Sequence, residues 1–100
     1  MSTENTPNSA WQDHVAGKDD VAVKRFTEMI TATPDDIDAQ YGLGLSLRGA
    51  GQYDSSIEVF NKVLELLRAL EIKTEDEHNH FQMVTRMAEQ QIELAKEAKA

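Results

Sequence analysis

Sliding the 100-residue chain against itself by 34 positions brings like onto like. Ala16 falls on Ala50, Gly17 on Gly51, Asp20 on Asp54 and Phe26 on Phe60. Apolar character carries over from Val23 to Ile57, from Met29 to Val63 and from Ile30 to Leu64. A repeat of this length is one supersecondary unit used twice. A lone unit leaves an apolar face open, and tandem copies bury that face for each other.

The residues within each copy read as helix, tight turn, helix. Gly17 and Gly51 sit where a helix ends in a left-handed residue. Asp20 and Asp54 are expected to cap the helix that follows, accepting bonds from its orphan N–H groups. Ala22, Val23, Phe26, Met29 and Ile30 recur at helical spacing, as do Ile57, Phe60, Val63, Leu64 and Leu67. Pro34 stops the first of these helices. Asp35 and Asp36 then open another, running from about Ile37 to Arg48 with Leu43, Gly44 and Leu47 on one packing face. Small residues at Gly44 and Ser56 predict a close approach of the paired helices.

These residues resemble the tetratricopeptide repeat over about residues 8–70. The second copy carries the match through Leu43-Gly44, Gly51-Gln52-Tyr53-Asp54, Ser56-Ile57, Phe60 and Val63-Leu64. The first adds Gly17, Ala22, Phe26, Met29 and Pro34. Three positions depart from the family: Gln40 replaces a large aromatic, Ser56 an Ala, and Arg68 a Pro. With no Pro at 68, the helix that starts near Asp54 is expected to overrun to about Leu70. The leading helix of the first copy is expected to be short, from about Asn8 to Ala16.

Residues 71–100 predict one long helix. Thr74-Glu75-Asp76-Glu77 reads as a capping box, in which Thr74 bonds forward and Glu77 bonds back. Phe81, Val84, Ala88, Ile92 and Ala95 form an apolar stripe, widened by Met83, Met87 and Leu94. Two roles fit this helix: a plain cap on the open end of the stack, or a third, out-of-phase repeat helix in which Met87-Ala88 stand in for Leu43-Gly44. The expected fold is therefore all-α, a tetratricopeptide-like stack of about two antiparallel helix pairs plus a long C-terminal capping helix. Residues 1–7 form a frayed, polar lead-in. Repeat 1 covers 8–34, repeat 2 covers 35–70, and the C-terminal helix covers 74–99 of a single domain.

The resemblance implies a concave face, lined by the first helix of each pair, that holds peptides or extended segments of other proteins. Its implied lining is Asp38, Tyr41, Leu45 and Arg48. Tyr41, Leu45 and Arg48 share a helix face at i, i+4 and i+7. The 34-residue shift carries Leu45 to Trp11 and Arg48 to His14, giving an apolar, aromatic patch with basic edges at His14 and Arg48. Trp, Tyr and Arg are the residue types that dominate interface energetics. A second placement fits Trp11 equally: a lid folded over the N-terminal edge of the core. Tyr41 and Leu45 occupy places where a carboxylate-gripping member of the family would need Lys or Asn, which argues against that mode of binding. Self-association through the C-terminal helix, as a homodimeric assembly protein, is the alternative function, since two repeats are few for independent stability.

Chemistry finds little purchase. There is no Cys, so neither disulfides nor thiolate ligands are available. Lys plus Arg is 10 against 18 Asp plus Glu, a net charge of −8 that is spread over both halves. This disfavours nucleic acid and mildly favours basic partners. No stretch approaches the roughly 20 apolar residues of a membrane span. The start lacks the basic and apolar regions of a secretory signal, so a cytoplasmic location is expected. Gly42-Leu43-Gly44 and Gly49-Ala50-Gly51 lack the strand and third glycine of a nucleotide loop. His78 and His80, two apart on a helix, do not converge, and only Asp76 with His80 could meet as a weak divalent site. His14 has no convincing nucleophile and acid to work with. The expectation is a non-enzymatic binding scaffold with no cofactor and no metal.

Overall fold

The computed structural model describes residues 7–99, which form five helices: α1 (Pro7–Val15), α2 (Asp19–Ala32), α3 (Ile37–Gly49), α4 (Tyr53–Arg68) and α5 (Glu75–Lys99). The described residues contain no strand, and none of their helices is long and apolar enough to cross a membrane. Of the polar lead-in, residues 1–6 lie outside the described residues, and Pro7 instead opens α1. Proline suits that first position, where its missing N–H would have had no partner anyway.

The 34-residue period is reproduced atom by atom at the turns. Gly17 and Gly51 have φ of 80° and 81°, the only positive values among the described residues. Gly17 N–H donates to His14 O and Gly51 N–H to Arg48 O, both at 3.0 Å. One residue on, Lys18 N–H reaches Asp13 O at 2.8 Å and Gln52 N–H reaches Leu47 O at 2.9 Å. This pair of bonds closes a helix C-terminus around a left-handed residue.

The tightness of these turns overturns one expectation. Asp20 and Asp54 do not cap α2 and α4. The residue after each glycine donates the bond that closes one helix and is also the cap of the next, so the capping places fall to Lys18 and Gln52, whose side chains make no cap bond. Asp20, with Asp19, and Asp54 lie in the first helical turn instead, where their charge meets the positive end of the helix dipole. By contrast, Asp36 caps α3 through its Oδ1, which accepts from Ala39 N–H at 3.1 Å. Thr74 Oγ1 accepts from Glu77 N–H at 3.0 Å, while the Glu77 carboxylate reaches back one residue past Thr74 to Lys73 N–H at 2.8 Å.

Helix α4 stops at Arg68, short of Leu70. Its last turn tightens: Leu70 N–H bonds Leu67 O, three residues back, at 3.1 Å, a common way to use up terminal carbonyls. Leu70 is consequently half-exposed rather than part of a continuing apolar face.

Consecutive helices pack on one another. In addition α1 touches α3 and α3 touches α5, whereas α2 and α4 do not meet. The odd-numbered helices thus form an inner row and the even-numbered ones an outer row. Helix α3 touches all four others. One core cluster joins Ala10, Ala22, Phe26, Ala39, Leu43 and Leu47. The other joins Phe60, Val63, Leu64 and Leu67 of α4 to Ala88 and Ile92 of α5. Phe26 and Phe60 are both completely buried, each contributing on the order of 2–3 kcal/mol of hydrophobic stabilisation.

The close approaches read from the small residues are present. A Cβ on Gly44 would stand 2.7 Å from the Phe60 ring, and one on Gly42 would collide with Phe26. Ser56 Oγ donates to Gly44 O at 2.8 Å. The buried Gln40 side chain donates to Pro34 O at 2.9 Å, which satisfies a polar group inside the core and ties the start of α3 to the loop before it.

Candidate protein-binding groove

The inner row borders an open cavity of about 440 Å³ with walls from α1, α3 and α5. Helix α1 supplies Trp11. Helix α3 supplies Asp38, Tyr41 and Leu45, with Tyr41 and Leu45 one turn apart on the same side. Helix α5 supplies His80, Met83, Val84, Met87 and Gln91. Four of the six residues anticipated from the sequence are therefore brought together here: Trp11, Asp38, Tyr41 and Leu45.

The other two, His14 and Arg48, do not line the cavity, so it lacks the basic edges expected of it. His14 Nδ1 lies 2.7 Å from Asp19 Oδ1, across the first tight turn, and its ring meets Trp11 edge-on at 6.2 Å. The aspartate that opens α2 holds this histidine away from the groove. Arg48 is half-buried beside Tyr41, and its Nε is buried without a hydrogen-bond partner.

Trp11 combines its two sequence-level placements. Its ring packs edge-on against Phe26, with centroids 5.3 Å apart, on the flank of the first core cluster. The same side chain forms part of the cavity wall. Tyr41 is the counterpart on α3. Its ring meets Phe60 edge-on at 5.4 Å, which fixes it by core packing. Burial raises the Tyr41 hydroxyl above its ordinary pKa of 10.0, against the opposing pull of a hydrogen bond from Gln91 and the nearby Arg48 charge.

The α5 wall was not placed in the groove by sequence reasoning. Two adjoining stripes run along this helix. Phe81, Val84, Ala88, Ile92 and Ala95 face the core side, with Ala88, Ile92 and Ala95 buried. Beside them Met83, Met87 and Leu94 remain 51%, 38% and 38% exposed. The signal was present as the extra width of the apolar stripe. Helix α5 both covers α4 and takes the third place in the inner row, and its far end is fastened by an ion pair from Lys99 to Asp54.

A smaller hollow of about 270 Å³ lies where α4 passes to α5, bounded by Leu67, Leu70, Ile72, His80 and Phe81 among others. Among the described residues no three His, Cys, Asp or Glu side chains gather as a metal ion would require. Comparison of the chain with protein-family models, with curated proteins and with solved structures finds no match.

Proposed function

We propose that this protein is a non-catalytic binding module of tetratricopeptide type, which docks a segment of another protein against its inner row of helices. The observation that carries this reading is the convergence of Trp11, Tyr41, Leu45, Met83 and Met87, from three separate helices, on one open apolar cavity. Rigid aromatic residues backed by a packed core are the usual anchors of protein interfaces. Phe26 and Phe60 provide that backing for Trp11 and Tyr41. The 34-residue repetition of the turns supports the family resemblance, and the acidic balance of the chain supports a protein partner over a nucleic acid. A cytoplasmic setting belongs to the same proposal, and so does the absence of any cofactor.

The test is affinity capture from the native lysate with the intact chain and with Met87→Glu, followed by mapping of the captured segment. Met87 is substantially exposed, so the variant should keep its helical spectrum and lose less than about 1 kcal/mol of stability. Loss of capture is the expected result. Capture that is unchanged in a folded variant would overturn the reading. Self-association is the second reading, favoured by the exposed Met83 and Leu94. A strict 11.2 kDa monomer in light scattering across concentrations excludes it.

A further inference from the structure

The chemistry of the groove wall restricts the shape of what it can hold. Its surface is built mostly from Trp11, Tyr41, Leu45, Met83, Val84 and Met87, and the only other side chains in it are Asp38, His80 and Gln91. An extended segment laid on this wall would bring a main-chain donor and acceptor at nearly every residue. Asp38, His80 and Gln91 are too few to receive them. Each group buried unpaired costs about 1–3 kcal/mol. A helical segment makes those bonds internally and presents side chains alone.

The wall also has the periodicity to receive a helix. Its α5 residues His80, Met83, Val84, Met87 and Gln91 follow one another at i, i+3, i+4, i+7 and i+11, a strip about 16 Å long at 1.5 Å per residue. That is three turns, room for the roughly two turns over which a ligand helix is anchored at i, i+3 or i+4, and i+7. Methionine side chains adapt to the shape of the apolar groups they meet. The lining holds one carboxylate, Asp38, and no Lys or Arg, with His80 its one basic side chain, and the chain as a whole carries −8.

From this we infer that the groove takes an amphipathic α-helix of another protein, its apolar face on the α3 and α5 walls and its Lys- or Arg-bearing flank beside Asp38. The inference rests on the binding reading above and specifies its ligand. An acidic or extended partner fits neither the charge nor the wall.

Trp11 is the single tryptophan of the chain and lines the cavity, so its emission reports occupancy. Three synthetic peptides of about five turns serve as probes at physiological salt. One is a Leu/Lys amphipathic helix, one has the same composition broken by two central prolines, and one is the Leu/Glu equivalent. The Leu/Lys helix should shift Trp11 emission saturably, and the other two should bind at least about tenfold more weakly. Met83→Lys, at an exposed position, should weaken the Leu/Lys helix by about the same factor. Equal or tighter binding of the proline peptide would overturn the helical ligand and leave the groove as a binding site. Equal binding of the Leu/Glu helix would overturn its basic character. An unaffected Met83→Lys would place the peptide elsewhere on the acidic surface and overturn the inference. An emission shift driven by protein concentration alone would make a second copy the occupant, with the same consequence. If no peptide perturbs Trp11, the inference falls, and the capture experiment with Met87→Glu decides separately whether the groove binds protein at all.

Discussion

The two helical pairs, α1–α2 and α3–α4, share a turn but are held together differently. Their turns agree in glycine conformation and in every bond around it. Within the first pair, Arg25 of α2 meets Asp13 of α1 at 2.7 Å, and His14 meets Asp19 across the turn. In the second pair, Phe60 lies against Gly44, and the Ser56 hydroxyl bonds Gly44 O. Position in the stack explains the contrast. Helix α3 has neighbours on every side, so close apolar packing is needed there. Helix α1 is the outermost member of the inner row. Its Asp13 retains 21% exposure and the facing Arg25 27%, enough contact with water to keep a charged pair from being costly. A repeat therefore conserves what the turn requires, and the surroundings of each copy set the rest.

The hardest test of that contrast is removal of the two central aromatics. Phe60→Ala should cost about 4–5 kcal/mol, and Phe26→Ala nearer 3 kcal/mol, because the terminal α1 can settle into the space left behind. Urea denaturation of both variants measures the difference, and a larger loss for Phe26→Ala would reverse the ranking of the two pairs. Next in size, Gly44→Ala drives a methyl group into the buried Phe60 ring. About 1–3 kcal/mol should be lost despite the better helix propensity of alanine, read as a lower denaturation midpoint. Gly17→Ala and Gly51→Ala probe the shared feature. Nothing lies within 4 Å of a Cβ at either place, so each should lose only the left-handed backbone penalty of about 1–2 kcal/mol, and the two losses should agree. Unequal losses in thermal melts would show that the turns are less alike than their geometry. Smallest of all, a double-mutant cycle on Asp13→Ala and Arg25→Ala should return a coupling of only about 0.2–1 kcal/mol, shrinking with added salt.

What could be read in the sequence follows the reach of each interaction. The glycine turns, the Asp36 cap, the forward bond of Thr74 and the packing face of Leu43 and Leu47 depend on residues a few positions apart, and all were legible. The misplaced caps at Asp20 and Asp54 show a limit even at short range, since the residue that closes one helix is at once the N-cap of the next and the aspartates fall inside its first turn. The α5 wall needed long-range information. Its Met87-Ala88 lies 44 residues beyond Leu43-Gly44, out of step with the 34-residue period, so self-comparison does not align it. The absence of His14 from the groove was hidden for a related reason. Its partner Asp19 lies across a turn, and sequence equivalence with Arg48 says nothing about that contact.

Contact of α3 with all four other helices has a thermodynamic consequence. In a long array each unit leans only on its immediate neighbours, and the ends fray while the middle persists. Here the middle is a single helix, and loosening either α1 or α5 strips support from the same thirteen residues. The chain should melt as one cooperative block, with the slowest-exchanging amides of the molecule in α3.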